Sequence, residues 1–130
     1  MTDAHDALNR SKIAVAIDWP SPDVPRSLAA AGVRTFSHEG PGDDEWYVYE
    51  GDARAHAEAP PTAADLVYTY RPVEELAGIV EFARKLGAHT IWFEEGRRSP
   101  EAASAARPIV EAAGLAYLDE PYIVDALGNR

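Results

Sequence analysis

The stretch Ile13-Ala14-Val15-Ala16-Ile17 decides the fold that this sequence predicts. It is continuous, apolar and rich in β-branched residues, which is typical of a strand buried on both faces of a parallel sheet. Residues 21–32 are then predicted to form a short helix, because prolines fall in its first turn and Gly32 ends it. A buried strand followed by a helix is the first unit of an α/β fold.

The same alternation of apolar runs and helical segments continues along the chain. Further strands are predicted at residues 33–36, 46–49, 66–70, 90–93 and 115–118. Helices are predicted at residues 72–86, from the helical spacing of apolar residues, and at residues 99–113, from a capping serine followed by proline. We therefore expect one α/β domain of the Rossmann-like kind, with a mostly parallel sheet of five to six strands and helices on both faces.

The limits of this domain follow from the same pattern. Residues 1–11 precede the first strand and are expected to form an N-terminal extension with room for a short helix. Residues 12–121 form the domain, and residues 122–130 are expected to be a mostly irregular C-terminal tail. The signal is weak across residues 50–64, where alanine and acidic residues favour some helix that Pro60 and Pro61 end.

Composition restricts the classes of function. The 130 residues carry a formal net charge of -10, which disfavours nucleic-acid binding because phosphate backbones require clustered Lys and Arg. The sequence has no cysteine and no paired-histidine spacing, so neither a disulfide nor a metal site is expected. No apolar run approaches the ~20 residues of a membrane-spanning helix. We expect a cytoplasmic protein with a small-molecule ligand, and a homodimer is plausible because small sheet domains often cover an exposed edge by pairing.

Candidate functional residues follow the strands, because ligands of open parallel sheets bind beyond the carboxyl ends of the strands. The residues at these positions include Asp18, Trp19, Ser21, His38, Arg71, Pro72, Glu94, Gly96 and Arg97. A dinucleotide site requires a G-x-G-x-x-G turn after the first strand, where bare backbone approaches the pyrophosphate. The turn after Ile17 contains no glycine, so NAD is not expected as a cofactor.

Two short motifs in the second half of the chain point to a known family. Arg71-Pro72 precedes a predicted helix, and the run Ile91-Trp92-Phe93 is followed after two residues by Gly96. These motifs are similar to those of the small stand-alone coenzyme A-binding domain family, which shares its fold with the coenzyme A-binding domain of succinyl-CoA synthetase. The similarity extends over residues 12–121 and is strongest from residue 65 onward. It implies a binding protein for coenzyme A, an acyl-CoA or a related nucleotide.

Six residues are the candidates for contact with such a ligand. The guanidinium of Arg71 can bind a phosphate through two hydrogen bonds, and alternatively it pairs with a glutamate at position 74 or 75. Arg97 lies just before a predicted helix N-terminus, which favours anions. Trp19 offers a flat wall for an adenine. The complete set is Trp19, Ser21, Arg71, Pro72, Gly96 and Arg97.

Departures from the family pattern leave a second function open. The first turn lacks glycine, and Glu94 and Glu120 stand where the family usually carries glutamine and cysteine. Such carboxylates disfavour a nearby phosphate. The alternative is an enzyme that does without coenzyme A and uses Asp18, His38 and Glu94 for acid–base chemistry on a small substrate.

Two further interpretations remain open. Asp18 is also positioned to cap the following helix, a structural role that would leave its carboxylate without a part in binding or chemistry. The acidic loop at residues 39–45 is also a possible docking surface of an interaction protein.

Overall fold

A computed structural model describes residues 3–39 and 45–128 of the chain. Most of the acidic loop expected as a docking surface, residues 40–44, lies outside the described residues. The helices are α1 (Ala4–Asn9), α2 (Asp23–Ala30), α3 (Leu76–Leu86), α4 (Glu94–Arg98), α5 (Pro100–Ala112) and α6 (Ile123–Gly128), with a 3-10 turn at Val73–Glu75. The strands are β1 (Ile13–Ile17), β2 (Arg34–His38), β3 (Trp46–Glu50), β4 (Ala53–His56), β5 (Leu66–Thr69), β6 (Thr90–Phe93) and β7 (Ala116–Leu118).

The strands form one sheet in the order β4-β3-β2-β1-β5-β6-β7. Five neighbouring strands of this sheet are parallel to one another: β2, β1, β5, β6 and β7. The remaining two, β3 and β4, are antiparallel to their neighbours. The predicted single α/β domain of the Rossmann-like kind is thereby confirmed, with seven strands instead of five to six. β1 lies between β2 and β5, so the chain leaves it first toward one edge of the sheet and later toward the other.

The additional strand is β4, which pairs with β3 in a hairpin through the two-residue turn Gly51-Asp52. Some helix is expected across residues 50–64, and this expectation is wrong for residues 53–56, which form a strand. All four residues of β4 are exposed, and its sequence Ala-Arg-Ala-His contains none of the large apolar or β-branched residues that are typical of a strand. Gly51 has a φ of 58°, and a glycine followed by aspartate is the turn chemistry of a short hairpin.

The two faces of the sheet bury different side chains, as the two-residue period of a strand requires. Val15, Val67 and Ile91 pack on one face, against α3 and α5. Ala14, Ala16, Leu66, Tyr68 and Trp92 pack on the other face, against α1, α2 and α6. Helices therefore cover both faces, as the sequence predicts.

The C-terminal segment is more ordered than the sequence indicates. A mostly irregular tail is expected there, but α6 packs on α2 with Ile123 and Ala126 buried. Its six residues are too few to display a helical period clearly. None of the helices within residues 3–39 and 45–128 has the length and apolar character of a membrane-spanning segment.

Gly96 lies in α4, where the chain approaches the end of β7 closely. A Cβ atom on Gly96 would overlap the hydroxyl oxygen of Tyr117 and would lie 2.7 Å from Oδ2 of Asp119. Tyr117 donates a hydrogen bond of 2.7 Å to the same Asp119 oxygen. The absence of a side chain at position 96 therefore allows this pair to form.

We expect Gly96→Ala to lower the free energy of unfolding by about 1–3 kcal/mol, because the added methyl group must displace the Tyr117–Asp119 pair. Urea denaturation followed by circular dichroism measures this change. Gly78→Ala in α3 is the matched control, since a Cβ there meets no atom within 4 Å. The control should be neutral or stabilising by up to ~1 kcal/mol, because alanine favours a helix more than glycine does. Equal stability of the two variants would contradict the close approach at Gly96.

Candidate functional site

A cleft of about 800 Å³ lies at the carboxyl ends of β1 and β2, beside the start of α2. This place adjoins the point where the strand order reverses, which is where ligands bind in open α/β sheets. The side chains around the cleft come from the turn after β1, from α2, from the ends of β2 and β5, and from the β3–β4 hairpin. They are Asp18, Trp19, Pro20, Ser21, Pro22, Arg26, His38, Glu39, Tyr49, Arg54 and Arg71.

Asp18 occupies the centre of this arrangement. Its backbone has a φ of 59°, and its N–H donates to the carbonyl of His38 at 3.2 Å. A left-handed conformation costs a non-glycine residue roughly 1–3 kcal/mol and is concentrated at functional sites. The expectation that Asp18 caps α2 is wrong: the N-cap residue is Pro22, and the first N–H of the helix, that of Asp23, donates to Oγ of Ser21 at 3.2 Å. The carboxylate turns instead toward two side chains of the cleft.

The first of these is His38, whose Nδ1 lies 2.6 Å from Oδ1 of Asp18. A carboxylate only accepts hydrogen bonds, so Nδ1 carries a hydrogen in this contact. The imidazole is also held against the ring of Trp46, with a centroid distance of 5.0 Å. A carboxylate that fixes one tautomer of a histidine is the arrangement that positions a general base.

The second partner is Arg71, whose Nε lies 3.6 Å from Oδ2 of Asp18. The same guanidinium donates two hydrogen bonds to Glu75, at 3.1 and 2.6 Å. The pairing with a neighbouring glutamate that the sequence leaves open is therefore present, with Glu75. The hydrogen bonds from Arg71 hold the pKa of the Glu75 carboxyl below its usual value. The Arg71 guanidinium is thus partly neutralised before any ligand binds.

Glu39 is the second carboxylate in the wall of the cleft. It accepts hydrogen bonds from the hydroxyl of Tyr49 at 2.7 Å and from Nη2 of Arg54 at 2.8 Å. Burial raises the pKa of Glu39, but the hydrogen bonds from Arg54, Tyr49 and Ser37 outweigh burial and hold the pKa below its usual value. Glu39 therefore remains charged and is neutralised by Arg54.

Sequence reasoning missed Arg54 because it did not predict β4; Tyr49 lies in the predicted strand at residues 46–49 but was not among the candidate residues. Once the hairpin turn at Gly51-Asp52 is recognised, the register of two antiparallel strands places Arg54 opposite Tyr49. The guanidinium also lies over the ring of Tyr47, at 4.0 Å from its centroid. The hairpin thus supplies a guanidinium to a site formed mostly by parallel strands.

Arg26 is the third guanidinium at the cleft, and sequence reasoning missed it as well. It lies on the exposed side of α2, one turn from the N-terminus of the helix. Within residues 3–39 and 45–128 it has no ion pair and no side-chain hydrogen bond, unlike Arg54 and Arg71. The position of Arg26, close after the predicted helix start, is the signal that could have identified it.

Trp19 forms an aromatic wall with three tyrosines. Its ring lies edge-on to Tyr68 and Tyr70, with centroid distances of 5.9 and 4.9 Å, and is tilted against Tyr122 at 5.8 Å. The indole Nε1 is buried and has no hydrogen-bond partner among the described residues. An unsatisfied buried donor costs roughly 1–3 kcal/mol and calls for an explanation. Trp92, by contrast, is a core residue that donates to the carbonyl of Pro121.

The structure brings together only some of the residues that the sequence predicts for the site. Asp18, Trp19, Ser21, His38 and Arg71 line the cleft, whereas Pro72, Glu94, Gly96 and Arg97 do not.

Glu94 is 1% exposed; it accepts a hydrogen bond of 2.6 Å from the Tyr68 hydroxyl and forms an ion pair with Arg97. Burial, and then the hydrogen bond to Glu94, raise the pKa of Tyr68. Arg97 also lies over the ring of Tyr122, at 4.8 Å from its centroid.

Three of the carboxylates that follow predicted strands therefore lie apart. Asp18 lines the cleft, Glu94 lies in the interior, and Glu120 borders a different cavity beside α5 and β7. In the part of the chain that the structure describes, no group of His, Asp and Glu side chains is arranged to hold a metal ion.

Comparisons with known proteins agree with this fold. The sequence model of the CoA binding domain family matches residues 18–125. The solved structure of Prb, the PH1109 protein redesigned for binding, has a TM-score of 0.65 and 18% identity, over 99% of this chain and 92% of that chain. The cell-free protein ID.343 from Thermus thermophilus has a TM-score of 0.60 and 18% identity, over 98% of each chain. A sequence search of curated proteins found no match. Since the family model covers most of the sequence, the chain belongs to the CoA binding domain family.

Proposed function

We propose that this protein binds coenzyme A, an acyl-CoA or a related nucleotide in the cleft at the ends of β1 and β2. The observation that carries the proposal is Arg26, a guanidinium with no carboxylate partner among the described residues, at the wall of the cleft. It stands beside the first turn of α2, where the Asp23 N–H donates to Oγ of Ser21, Pro25 has no N–H, and the Val24 N–H has no side-chain partner among the described residues. A helix N-terminus together with an arginine is a favourable site for a phosphate group.

The charges of the cleft support an anionic ligand despite the acidity of the whole chain. The lining residues include three arginines and two carboxylates, and both carboxylates have arginine partners within the cleft. The repulsion that a glycine-free turn with Asp18 suggests is therefore reduced, because Asp18 faces His38 and Arg71. Membership of the CoA binding domain family favours a coenzyme A-type ligand among the possible anions.

We expect Arg26→Gln to weaken binding of coenzyme A roughly five- to tenfold, the effect of losing about 1–1.4 kcal/mol from one exposed charge-assisted contact. Isothermal titration with coenzyme A, acetyl-CoA and ADP measures the affinity. Arg84→Gln in α3 is the matched control, since it removes the same charge from an exposed site that does not line the cleft. The absence of heat at millimolar ligand would reject the proposal. An equal loss in both variants would reject the role of Arg26.

The Asp18–His38 pair favours a second candidate function, an enzyme that uses His38 as a general base on a small substrate. The short contact orients the imidazole, and Arg71 lies where it can orient an anionic group of the substrate. The Glu94 carboxylate, also expected as an acid–base residue, is held by Tyr68 and Arg97, so this candidate depends on Asp18 and His38.

Hydrolysis of p-nitrophenyl acetate is a suitable probe of this second function, because a positioned histidine accelerates it. If His38 is a general base, His38→Gln should lower the rate above buffer roughly 100-fold. Asp18→Asn should also lower the rate, because an amide can present a donor to Nδ1 and disturb the tautomer. His56→Gln, at an exposed histidine of β4, is the control and should leave the rate unchanged. A rate that is insensitive to His38→Gln would exclude the enzyme.

A further inference from the structure

A second, smaller cavity lies directly beside the cleft, between the end of β2 and helix α3. Its volume is about 230 Å³. The lining residues are Ile17, Asp18, His38, Trp46, Arg71, Glu75, Gly78, Ile79 and Phe82. We refer to it as the α3 cavity.

The walls of the α3 cavity are mainly apolar. The rings of Trp46 and Phe82 are stacked, with centroids 6.1 Å apart, and Ile17 and Ile79 complete the apolar surface. Trp46 is buried, whereas the other three are half-buried, so apolar surface remains uncovered at this place. An uncovered apolar recess next to a polar cleft favours a ligand that has both kinds of surface.

Three polar residues connect the two spaces. Asp18, His38 and Arg71 line both the cleft and the α3 cavity. A ligand whose charged part lies in the cleft can therefore extend past these side chains into the α3 cavity. The guanidinium of Arg71, at this shared rim, is a hydrogen-bond donor suited to the carbonyl oxygen at the junction of such a ligand.

We propose that the α3 cavity binds the short acyl chain of an acyl-CoA, with its thioester carbonyl at the shared rim. The inference rests on the proposed function, since it requires a coenzyme A moiety in the cleft. A volume of about 230 Å³ equals that of roughly seven to eight water molecules at ~30 Å³ each, which is room for a short chain, and the remainder of a longer chain would stay in contact with water. Free coenzyme A ends in a thiol and leaves these apolar walls uncovered.

Gly78 offers a way to fill the α3 cavity without disturbing the fold. It lies on the exposed side of α3, and a Cβ there meets no atom within 4 Å. A leucine at this position favours the helix more than glycine does. Gly78 borders the α3 cavity but not the cleft, so its replacement acts on the acyl chain alone.

The experiment is isothermal titration of the full chain with coenzyme A, acetyl-CoA, hexanoyl-CoA and decanoyl-CoA. We expect hexanoyl-CoA to bind roughly tenfold more tightly than acetyl-CoA, because a fully buried methylene contributes about fourfold and part of the chain stays in contact with water. Decanoyl-CoA should show no further gain, because the cavity is full. Gly78→Leu should abolish the gain for hexanoyl-CoA and leave the affinity for coenzyme A within about twofold. Ala77→Leu, at the adjacent exposed position of α3, should keep the gain.

Any other outcome overturns the inference, and the pattern of affinities shows whether the proposed function fails with it. If coenzyme A binds but hexanoyl-CoA binds no more tightly than acetyl-CoA, the α3 cavity does not hold the chain, and the proposed function stands. If the gain survives Gly78→Leu, or continues to decanoyl-CoA, the chain lies elsewhere. If none of the four ligands binds, the proposed function fails and the inference fails with it. The chain-length series uses the unaltered protein, so it remains decisive even if Gly78→Leu does not fold.

Discussion

The parallel pairing of β1 with β2 on one side and β5 on the other is the interaction on which the rest of the structure depends. It aligns the carboxyl ends of three strands, and the hydrogen-bond ladder continues into the turns that follow them. Asp18 donates to the His38 carbonyl, and Tyr70 donates to the Ile17 carbonyl at 3.1 Å. These two bonds bring the side chains after β1, β2 and β5 to one place. The cleft and the α3 cavity both form around that place.

Electrostatic pairing then determines what this place can bind. The chain carries a formal net charge of -10, and a cleft with two uncompensated carboxylates would repel phosphate groups. In the structure Asp18 contacts His38 and Arg71, and Glu39 contacts Arg54. The negative charges of the two carboxylates in the cleft are therefore offset by their partners, although the chain as a whole is acidic. The glycine-free turn therefore has a structural role of its own, because it supplies a carboxylate that orients a histidine and an arginine.

Glu94 illustrates a different use of an acidic residue. Its carboxylate is almost completely buried, and it joins the Tyr68 hydroxyl to the guanidinium of Arg97. Because Arg97 also lies over Tyr122, this network connects β5, α4 and the start of α6. A buried carboxylate with two partners specifies how these elements pack, and removal of either partner would leave it unsatisfied. From the sequence, Glu94 is a candidate catalytic acid because it follows a predicted strand. Its burial and its two partners are visible only in the structure.

The sequence by itself determined the alternation of strands and helices, the glycines that end α3 and α5, the proline that starts α5, and the position of Asp18, His38 and Arg71 at the carboxyl ends of their strands. These features are local, since burial period and turn chemistry are properties of neighbouring residues. It did not predict β4, whose four exposed residues carry no burial pattern, and it therefore missed Arg54.

Only the tertiary structure decided which charges meet. The partners of Asp18 and Glu39 come from other strands and from the hairpin, and their separation in the chain hides them from any local pattern. Because these partners meet only in the folded chain, the carboxylate of Asp18, which the sequence suggests would repel an anionic ligand, lies in the cleft in contact with His38 and Arg71.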